Sequence, residues 1–401
     1  MKNCLIIGAS GYSGAQLTQL ILQHPNLNIE ALLVSKSSAL YHQSFASVYP
    51  QYAYSQPQSD LIFQSLEDFG LTSTLSHITQ STAEAATTLP EIKPEEKGWQ
   101  NSKLSNIDVA FLATPHEVSA GLAQQLLDQG IQVIDLSGAF RLKQASTFAE
   151  YYGFEHPNTA LLAKAIYGLP EVNRHLLLGA NLIAVAGCYP TAAILSLMPL
   201  MDPTSALAGH VSGKPIINAI SGVSGAGRKA SLTNSFCEVS LQAYGLNGHR
   251  HLPEIEQILE QSVIFTPHLG QYKRGIYSTI TVPFDSALSQ LELSNIFNDY
   301  YAESPLVQLT ENAPALSDVQ HTPMVKMFAK ANANNGCLQI FTVIDNLLKG
   351  AAVNAVQCFN LSHGYPETAG ILSDTHASTL SKFSAQSRSF NVAATHSMGG
   401  A

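Results

Sequence analysis

Charge is scarce in this chain. Only 12% of its 401 residues are charged, with 20 lysines and arginines against 29 acidic residues, a formal net charge of -9. No basic face can be assembled from such a balance, so nucleic acid is excluded as a partner. Long apolar runs are missing too, and none reaches the ~18 residues of a membrane span. The N-terminus enters an apolar strand at once, without the charged region, apolar stretch and cleavage site of a secretory leader, so a cytoplasmic enzyme is expected. Five cysteines, Cys4, Cys188, Cys237, Cys337 and Cys358, are widely spaced and form no CxxC pair. That excludes a disulfide framework and a cysteine zinc site, and each thiol is read alone. Hydrophobic residues, by contrast, make up 45% of the chain, enough for a large core and about two domains.

The first pattern is an apolar strand, Cys4–Gly8, then Gly8-Ala-Ser-Gly-Tyr-Ser-Gly14 and a helical period at Leu17, Leu20 and Ile21. Strand, glycine turn, helix is the order that brings backbone N–H groups of Gly8, Ser10, Gly11, Tyr12, Ser13 and Gly14 to a pyrophosphate. The spacing is GxxGxxG, an alternative to the commoner GxGxxG, and its weight comes from context. Strands at Ile29–Val34, Asp108–Ala113 and Ile131–Asp135 alternate with a helix around Val118, Leu122 and Leu126. This predicts an α/β, Rossmann-type doubly wound parallel sheet with its ligand at the strands' carboxyl ends. NAD sites place an acid at the end of the second strand; here stand Ser35 and Lys36, which suit a 2′-phosphate and favour NADP(H).

Between Pro50 and Asn106, which includes the single tryptophan, Trp99, the pattern dissolves and predicts an insertion. Ser373–Ala401 reads as a disordered tail. From about Lys214, strands at 215–218, 263–266, 276–282 and 338–344 interleave with helices near 252–261 and 291–301, predicting an α+β domain with a mixed sheet. A last helix, 347–357, is expected to return to the first domain. The domains expected are 1–187, dinucleotide binding with an insertion at about 50–106; 188–345, substrate and oligomerisation; 346–372, the returning helix; and 373–401, the tail.

In Gly187-Cys-Tyr-Pro190 a strand ends at glycine and proline stands in a first helical turn. Cys188 therefore lies at a helix N-terminus, where free N–H groups and the dipole favour the thiolate and its early alkylation. Cys4, Cys237, Cys337 and Cys358 fall within apolar patterns and read as buried hydrophobes. Gly248-His-Arg-His-Leu-Pro-Glu254 offers two imidazoles, His249 and His251, as acid–base partners, and Arg250 for a carboxylate or phosphate. A His-x-His metal pair competes, but no acidic or cysteine cluster accompanies it, and no metal is expected. Glu254 either orients a histidine or favours its helix's first turn. Ser221-Gly-Val-Ser-Gly-Ala-Gly-Arg228 is a glycine and hydroxyl loop that can cradle an oxyanion, or simply a flexible connection.

These motifs, with Asp135-Leu-Ser-Gly-Ala-Phe-Arg141, Tyr167-Gly-Leu-Pro-Glu171 and Asp345-Asn-Leu-Leu-Lys-Gly350, closely resemble the N-acetyl-gamma-glutamyl-phosphate reductase family, related to the aspartate-semialdehyde dehydrogenases. The match runs in order over nearly all of 1–372; the Pro50–Asn106 stretch looks longer than usual and the tail is extra. The resemblance implies NADPH-dependent reduction of an acyl phosphate to a semialdehyde through a Cys188 thioester, in arginine biosynthesis. It implies His251 as acid–base, with His249 able to exchange roles; Arg141, Arg250, Ser221 and Arg228 around the substrate; and Pro115 and Asn346 beside the nicotinamide. A homo-oligomer, dimer or tetramer, is implied as well. The alternatives are a relative acting on aspartyl or carrier-bound aminoadipyl phosphate, and a non-catalytic NADP sensor.

Overall fold

A computed structural model describes residues 1–55, 61–72, 103–332 and 335–372. The proposed tail, Trp99 and most of the proposed insertion lie outside the described residues.

The first sheet is built from short apolar runs: β1 (Lys2–Ile7), followed by α1 (Tyr12–Leu22); β2 (Leu27–Val34), followed by a helical turn, α2 (Phe45–Val48); β3 (Phe63–Ser65); β4 (Val109–Leu112), followed by α3 (His116–Asp128); and β5 (Gln132–Asp135). After α4 (Ala145–Tyr152) and α5 (Thr159–Lys164) come β6 (Ile166–Gly168), α6 (Pro170–Leu177) and β7 (Leu182–Val185). All seven strands are parallel, in the order β3-β2-β1-β4-β5-β7-β6. Every residue of β4, β5 and β7 is buried, as a parallel sheet covered on both faces requires.

The second sheet follows α7 (Cys188–Met201). It comprises β8 (Ile216–Gly222), β9 (Gln242–Ala243), β10 (Ile264–Gly270) after α8 (His251–Leu259), β11 (Ile276–Pro283), then, after α9 (Gln290–Tyr300), β12 (Val307–Leu309), β13 (Val325–Asn332) and β14 (Cys337–Ile344). It is mixed, in the order β12-β13-β14-β11-β8-β10-β9. Along β11 alternate residues Ile276, Ser278, Ile280 and Val282 are buried, so one face of the sheet is core. Helix α7, apolar nearly all round, is part of that core, together with Ile255 and Leu259 of α8 and Leu293 and Phe297 of α9. After β14 a single π-turn, Leu348–Ala352, runs into α10 (Val353–Ser362), whose Val356, Cys358 and Phe359 pack with Ile6, Phe111 and Ile183 of the first sheet.

Several elements differ from the expectations. The stretch after Pro50 is no plain insertion, because β3 extends the parallel sheet beside β2, and Leu66, Phe69, Leu71 and Leu104 enter the core. Three residues are too few to show a period. The final helix starts as a π-turn, in which Gly350 N–H donates to the Asp345 carbonyl, five residues back. Cys237 is exposed and Cys337 half-buried, so only Cys4 and Cys358 are the small core residues expected.

Candidate active site

The glycine turn after β1 is a tight cradle. Gly8 has φ of 87°, and a Cβ there would overlap the Ala113 carbonyl oxygen at the end of β4; a Cβ on Gly14 would overlap the Gly8 carbonyl oxygen. Helix α1 begins behind Gly11 with no side-chain cap, which leaves its first N–H groups for an anion. Tyr12 and Ser13 open that helix. Ser10 offers its carbonyl to the Tyr49 hydroxyl at 2.6 Å and to Arg228 Nη1 at 3.0 Å. Arg228 thus stands against the dinucleotide loop, with its guanidinium over the Tyr49 ring. Ser35 and Lys36 are exposed just past β2, and Pro115 sits at the N-terminus of α3. A Cβ-free cradle, an uncapped helix and no acid at the end of β2 together fit NADP.

Cys188 is the first residue of α7, with Gly187 at its N-cap. Beneath it lies a carboxylate. Glu254 is fully buried and accepts from the Gly187 N–H at 2.7 Å and the Tyr167 hydroxyl at 2.8 Å, while Arg141 Nη1 stands 3.4 Å away. Glu254 does lie in the first turn of α8, as one reading expected, but its carboxylate orients the nucleophile loop and Arg141 and not a histidine. Arg141 is buried, donating Nε to the Val185 carbonyl and Nη2 to the Leu136 carbonyl, both at 2.8 Å, and its Nη1 is 3.4 Å from His251 Nε2. Gly187 is needed because a Cβ would come within 2.7 Å of His251 Nε2 and 2.8 Å of Arg141 Nη1. Removing the Glu254 carboxylate leaves the Arg141 guanidinium buried without its counter-charge. Glu254→Ala is expected to lose about 3 kcal/mol of stability in denaturant unfolding, whereas a loss of a few tenths would show that the carboxylate is dispensable.

Burial pushes the Cys188 thiol up to about 11, opposed by the Arg141 charge and the backbone N–H of Tyr189. Burial holds the His251 imidazole well below its ordinary value, helped by His249 and Arg141, and burial beside Arg250 lowers His249 to about 4. At neutral pH the pair is therefore a thiol and a neutral imidazole. Burial therefore works against the thiolate that the helix N-terminus was expected to favour. Exposed Cys237 should then alkylate with iodoacetamide before Cys188, and the Cys188 rate should still climb between about pH 8 and about pH 10. A plateau in the neutral range would mean that the thiolate is preformed.

The two histidines are not equivalent. His249 Nδ1 accepts the His251 backbone N–H at 3.1 Å, and its ring packs among Tyr189, Tyr244 and Phe265. His251 Nδ1 is buried with no partner among the described residues, and its Nε2 faces the Gly187–Cys188 loop.

Two cavities meet at the thiol. One, of about 440 Å³, is lined by Cys188, Arg141, His249, Arg250, His251, Ser221, Tyr189, Tyr244, His116 and Tyr152, with no acid among its walls. The other, of about 300 Å³, is lined by Gly11, Tyr12, Ser13, Gly14, Ser224, Arg228, Asn346 and Gly350, and again by Arg141, Cys188 and His251. Arg250 stands at the rim of the first, over the Tyr152 ring and 3.2 Å from His116 Nε2. Asn346 accepts the Gly275 N–H at 2.7 Å and donates to Ser224 Oγ at 3.0 Å, while Asp345 caps the following turn by accepting from Leu347 and Leu348 N–H. Arg274 Nε meets Asp345 Oδ2 at 2.5 Å. The structure therefore brings Cys188, His251, Arg141, Ser221 and Arg250 together and sets Arg228 and Asn346 on the dinucleotide side; Ser35, Lys36 and Pro115 line neither cavity. Sequence reasoning missed His116, Tyr152 and Tyr244, which no local motif marks, and gave no role to Tyr189, although it stands within Gly187-Cys-Tyr-Pro190. Among the described residues no group of three metal-binding side chains occurs, and no helix is long and apolar enough to cross a membrane.

A dinucleotide cradle joined to a half-buried cysteine between two cavities points to an oxidoreductase class, and the sequence matches two family models: "Semialdehyde dehydrogenase, NAD binding domain" over residues 3–72 and 62–180, and "Semialdehyde dehydrogenase, dimerisation domain" over 188–346. The chain belongs to the semialdehyde dehydrogenase family. Its fold is shared with aspartate semialdehyde dehydrogenase II of Vibrio cholerae, at a TM-score of 0.61 and 16% identity, covering 90% of this chain and 98% of that one. Within the family it is a member of the N-acetyl-gamma-glutamyl-phosphate reductases. It is 43% identical to that of Escherichia coli (strain K12) over 373 residues, and 45% identical to that of Yersinia pseudotuberculosis over 376, each covering 93% of this chain and all of the relative.

Proposed function

We propose that this chain reduces N-acetyl-gamma-glutamyl phosphate with NADPH, giving N-acetylglutamate 5-semialdehyde and phosphate in arginine biosynthesis. The observation that carries the reading is that Cys188, Arg141 and His251 are walls of both cavities, so one sulfur can reach an acyl group from one side and face the dinucleotide on the other. Cys188 Sγ attacks the acyl carbon as His251 takes the thiol proton; the carbon–oxygen bond to phosphate breaks and phosphate leaves with the electron pair. Bound NADPH supplies the hydride that reduces the resulting thioester. His251 protonates the developing alkoxide and then takes the hydroxyl proton back as the carbon–sulfur bond breaks, freeing the aldehyde. Arg141, buried and charged, steadies negative charge beside the reacting carbon, and Arg250 at the rim holds the substrate carboxylate. Ser221 completes the substrate wall, Arg228 stands on the dinucleotide side in place of the substrate role expected of it, and Asn346 meets the nicotinamide amide.

His249 supports the His251 backbone, so we assign the acid–base role to His251. We also divide the chain at 187/188 into dinucleotide and substrate domains, with 346–372 belonging to the first. We place the enzyme in the cytoplasm as a homodimer or a tetramer. Assaying the reductive reaction with N-acetylglutamyl, aspartyl and aminoadipyl phosphates tests the substrate; preference for either of the latter two overturns it. Lys36→Ala should weaken NADPH binding about tenfold, the worth of one charge-assisted contact, and leave NADH binding unchanged. Equal losses for both cofactors would remove Lys36 from the 2′-phosphate site.

A further inference from the structure

Lys349 is fully buried in the π-turn, beyond the walls of both cavities. Its ammonium donates to Glu171 Oε1 at 2.6 Å, Asn354 Oδ1 at 2.7 Å and Gln357 Oε1 at 2.6 Å, which satisfies all three N–H groups. Glu171, from the first turn of α6, is itself buried, and its Oε2 has no partner among the described residues. Gln357 also donates to Glu367 Oε1 at 2.7 Å, and Arg174 pairs with Glu367. A buried ion pair is a weak source of net stability, and an apolar side chain of similar volume fills such a space at no electrostatic cost. The charge therefore calls for a use other than filling.

Two paths lead from this ammonium to the nucleophile. Through side chains, Asn354 Nδ2 donates to Thr191 Oγ1 at 3.1 Å, and Thr191 Oγ1 donates to the Gly187 carbonyl at 2.9 Å, the peptide immediately before Cys188. Through the backbone, the π-turn that carries Lys349 sets Gly350 so tightly on the thiol residue that a Cβ there would lie 2.8 Å from Cys188 Cβ. The same turn begins beside Asn346, on the dinucleotide side. A π-turn in such a place is a common mark of functional sites.

We propose that Lys349 is a positioning residue: its buried ammonium locks Asn354, Thr191 and the Gly187 carbonyl on one side and the Gly350 turn on the other, fixing Cys188 Sγ between the two cavities. The proposal rests on Cys188 being the nucleophile. Misplacing a reacting group by about an ångström costs up to ~10²-fold in rate without any change in the groups that bind substrate.

The test uses Thr191→Val, which keeps the shape and removes the hydroxyl, Asn354→Ala, their double variant, and Lys349→Met. Each is checked for fold by circular dichroism and thermal melting. The expected result is a fall in kcat of about tenfold for each single break in the chain and nearer a hundredfold for Lys349→Met, with NADPH dissociation constants within twofold of the parent. The Thr191/Asn354 double variant should be no slower than the worse single variant, since both interrupt one path. Parental kcat in folded Thr191→Val, or losses that multiply in the double variant, would overturn the proposal. Both outcomes are read without Lys349→Met, should that variant not fold. Turnover by Cys188→Ser would instead overturn the nucleophile assignment and leaves a distinct signature.

Discussion

Cys188→Ser is expected to lower kcat by roughly three orders of magnitude or more, because a serine hydroxyl at this position has neither the acidity nor the polarisability to form the acyl intermediate. NADPH binding should be unchanged, since Gly8, Gly14 and the uncapped start of α1 do not depend on the sulfur. The fold should also survive, because the Gly187 N–H and carbonyl keep their bonds to Glu254 and Thr191. The measurement is steady-state oxidation of N-acetylglutamate semialdehyde with NADP and phosphate, alongside fluorescence titration with NADPH. Retained turnover would remove the thioester from the mechanism.

The second large effect is expected for His251→Asn, which removes the proton acceptor facing the thiol loop. General acid–base catalysis is worth about 10²–10⁴-fold, and a loss in that range is expected in kcat/KM near neutral pH. The pH dependence supplies the sign. In the parent, His251 titrates well below the usual imidazole range and Cys188 near 11, so kcat/KM should be flat through neutrality and fall only at acid pH, where the imidazole takes a proton. In His251→Asn the thiol must lose its proton to solvent, and kcat/KM should climb with pH toward the thiol's own value. His249→Asn should lose far less, since His249 holds the backbone of His251 and not the thiol loop. If the two variants exchanged their effects, the acid–base assignment would pass to His249.

What could be read from the chain and what could not divides along sequence separation. The turn Gly8–Gly14, the cysteine at a strand-to-helix elbow and the His249-Arg-His251 pair are local patterns, each carrying its own reason for its residue types. Arg141 was legible as a candidate but not as a buried group: its partners are the carbonyls of Leu136 and Val185 and the carboxylate of Glu254, 113 residues away. Glu254 is the first-turn acid that the sequence suggested, but nothing nearby shows that Gly187 and Tyr167 also converge on it. Strand β13 went unread although Val325, Met327 and Ala329 alternate inward, because Lys326 and Lys330 between them dilute the apolar run. The π-turn was read as ordinary helix, and the close approach it makes, Gly350 against Cys188, joins residues 162 positions apart in the chain (350 minus 188).

The protonation state of the nucleophile was the least legible. A helix N-terminus argues for a thiolate, yet burial works against it, and only the packed structure gives the size of that burial. The consequence is a nucleophile whose thiol form burial favours, beside a neutral imidazole able to take its proton.

The most direct test of the central claim is to trap the acyl-enzyme by mixing the protein with N-acetylglutamate semialdehyde and NADP while omitting phosphate, then to digest it and weigh the peptides. The expected result is one NADPH formed per active site in a burst, with the peptide containing Cys188 heavier by one N-acetylglutamyl group and the other four cysteine peptides unmodified. A burst with no adduct on any cysteine, or an adduct on Cys4, Cys237, Cys337 or Cys358, would contradict it.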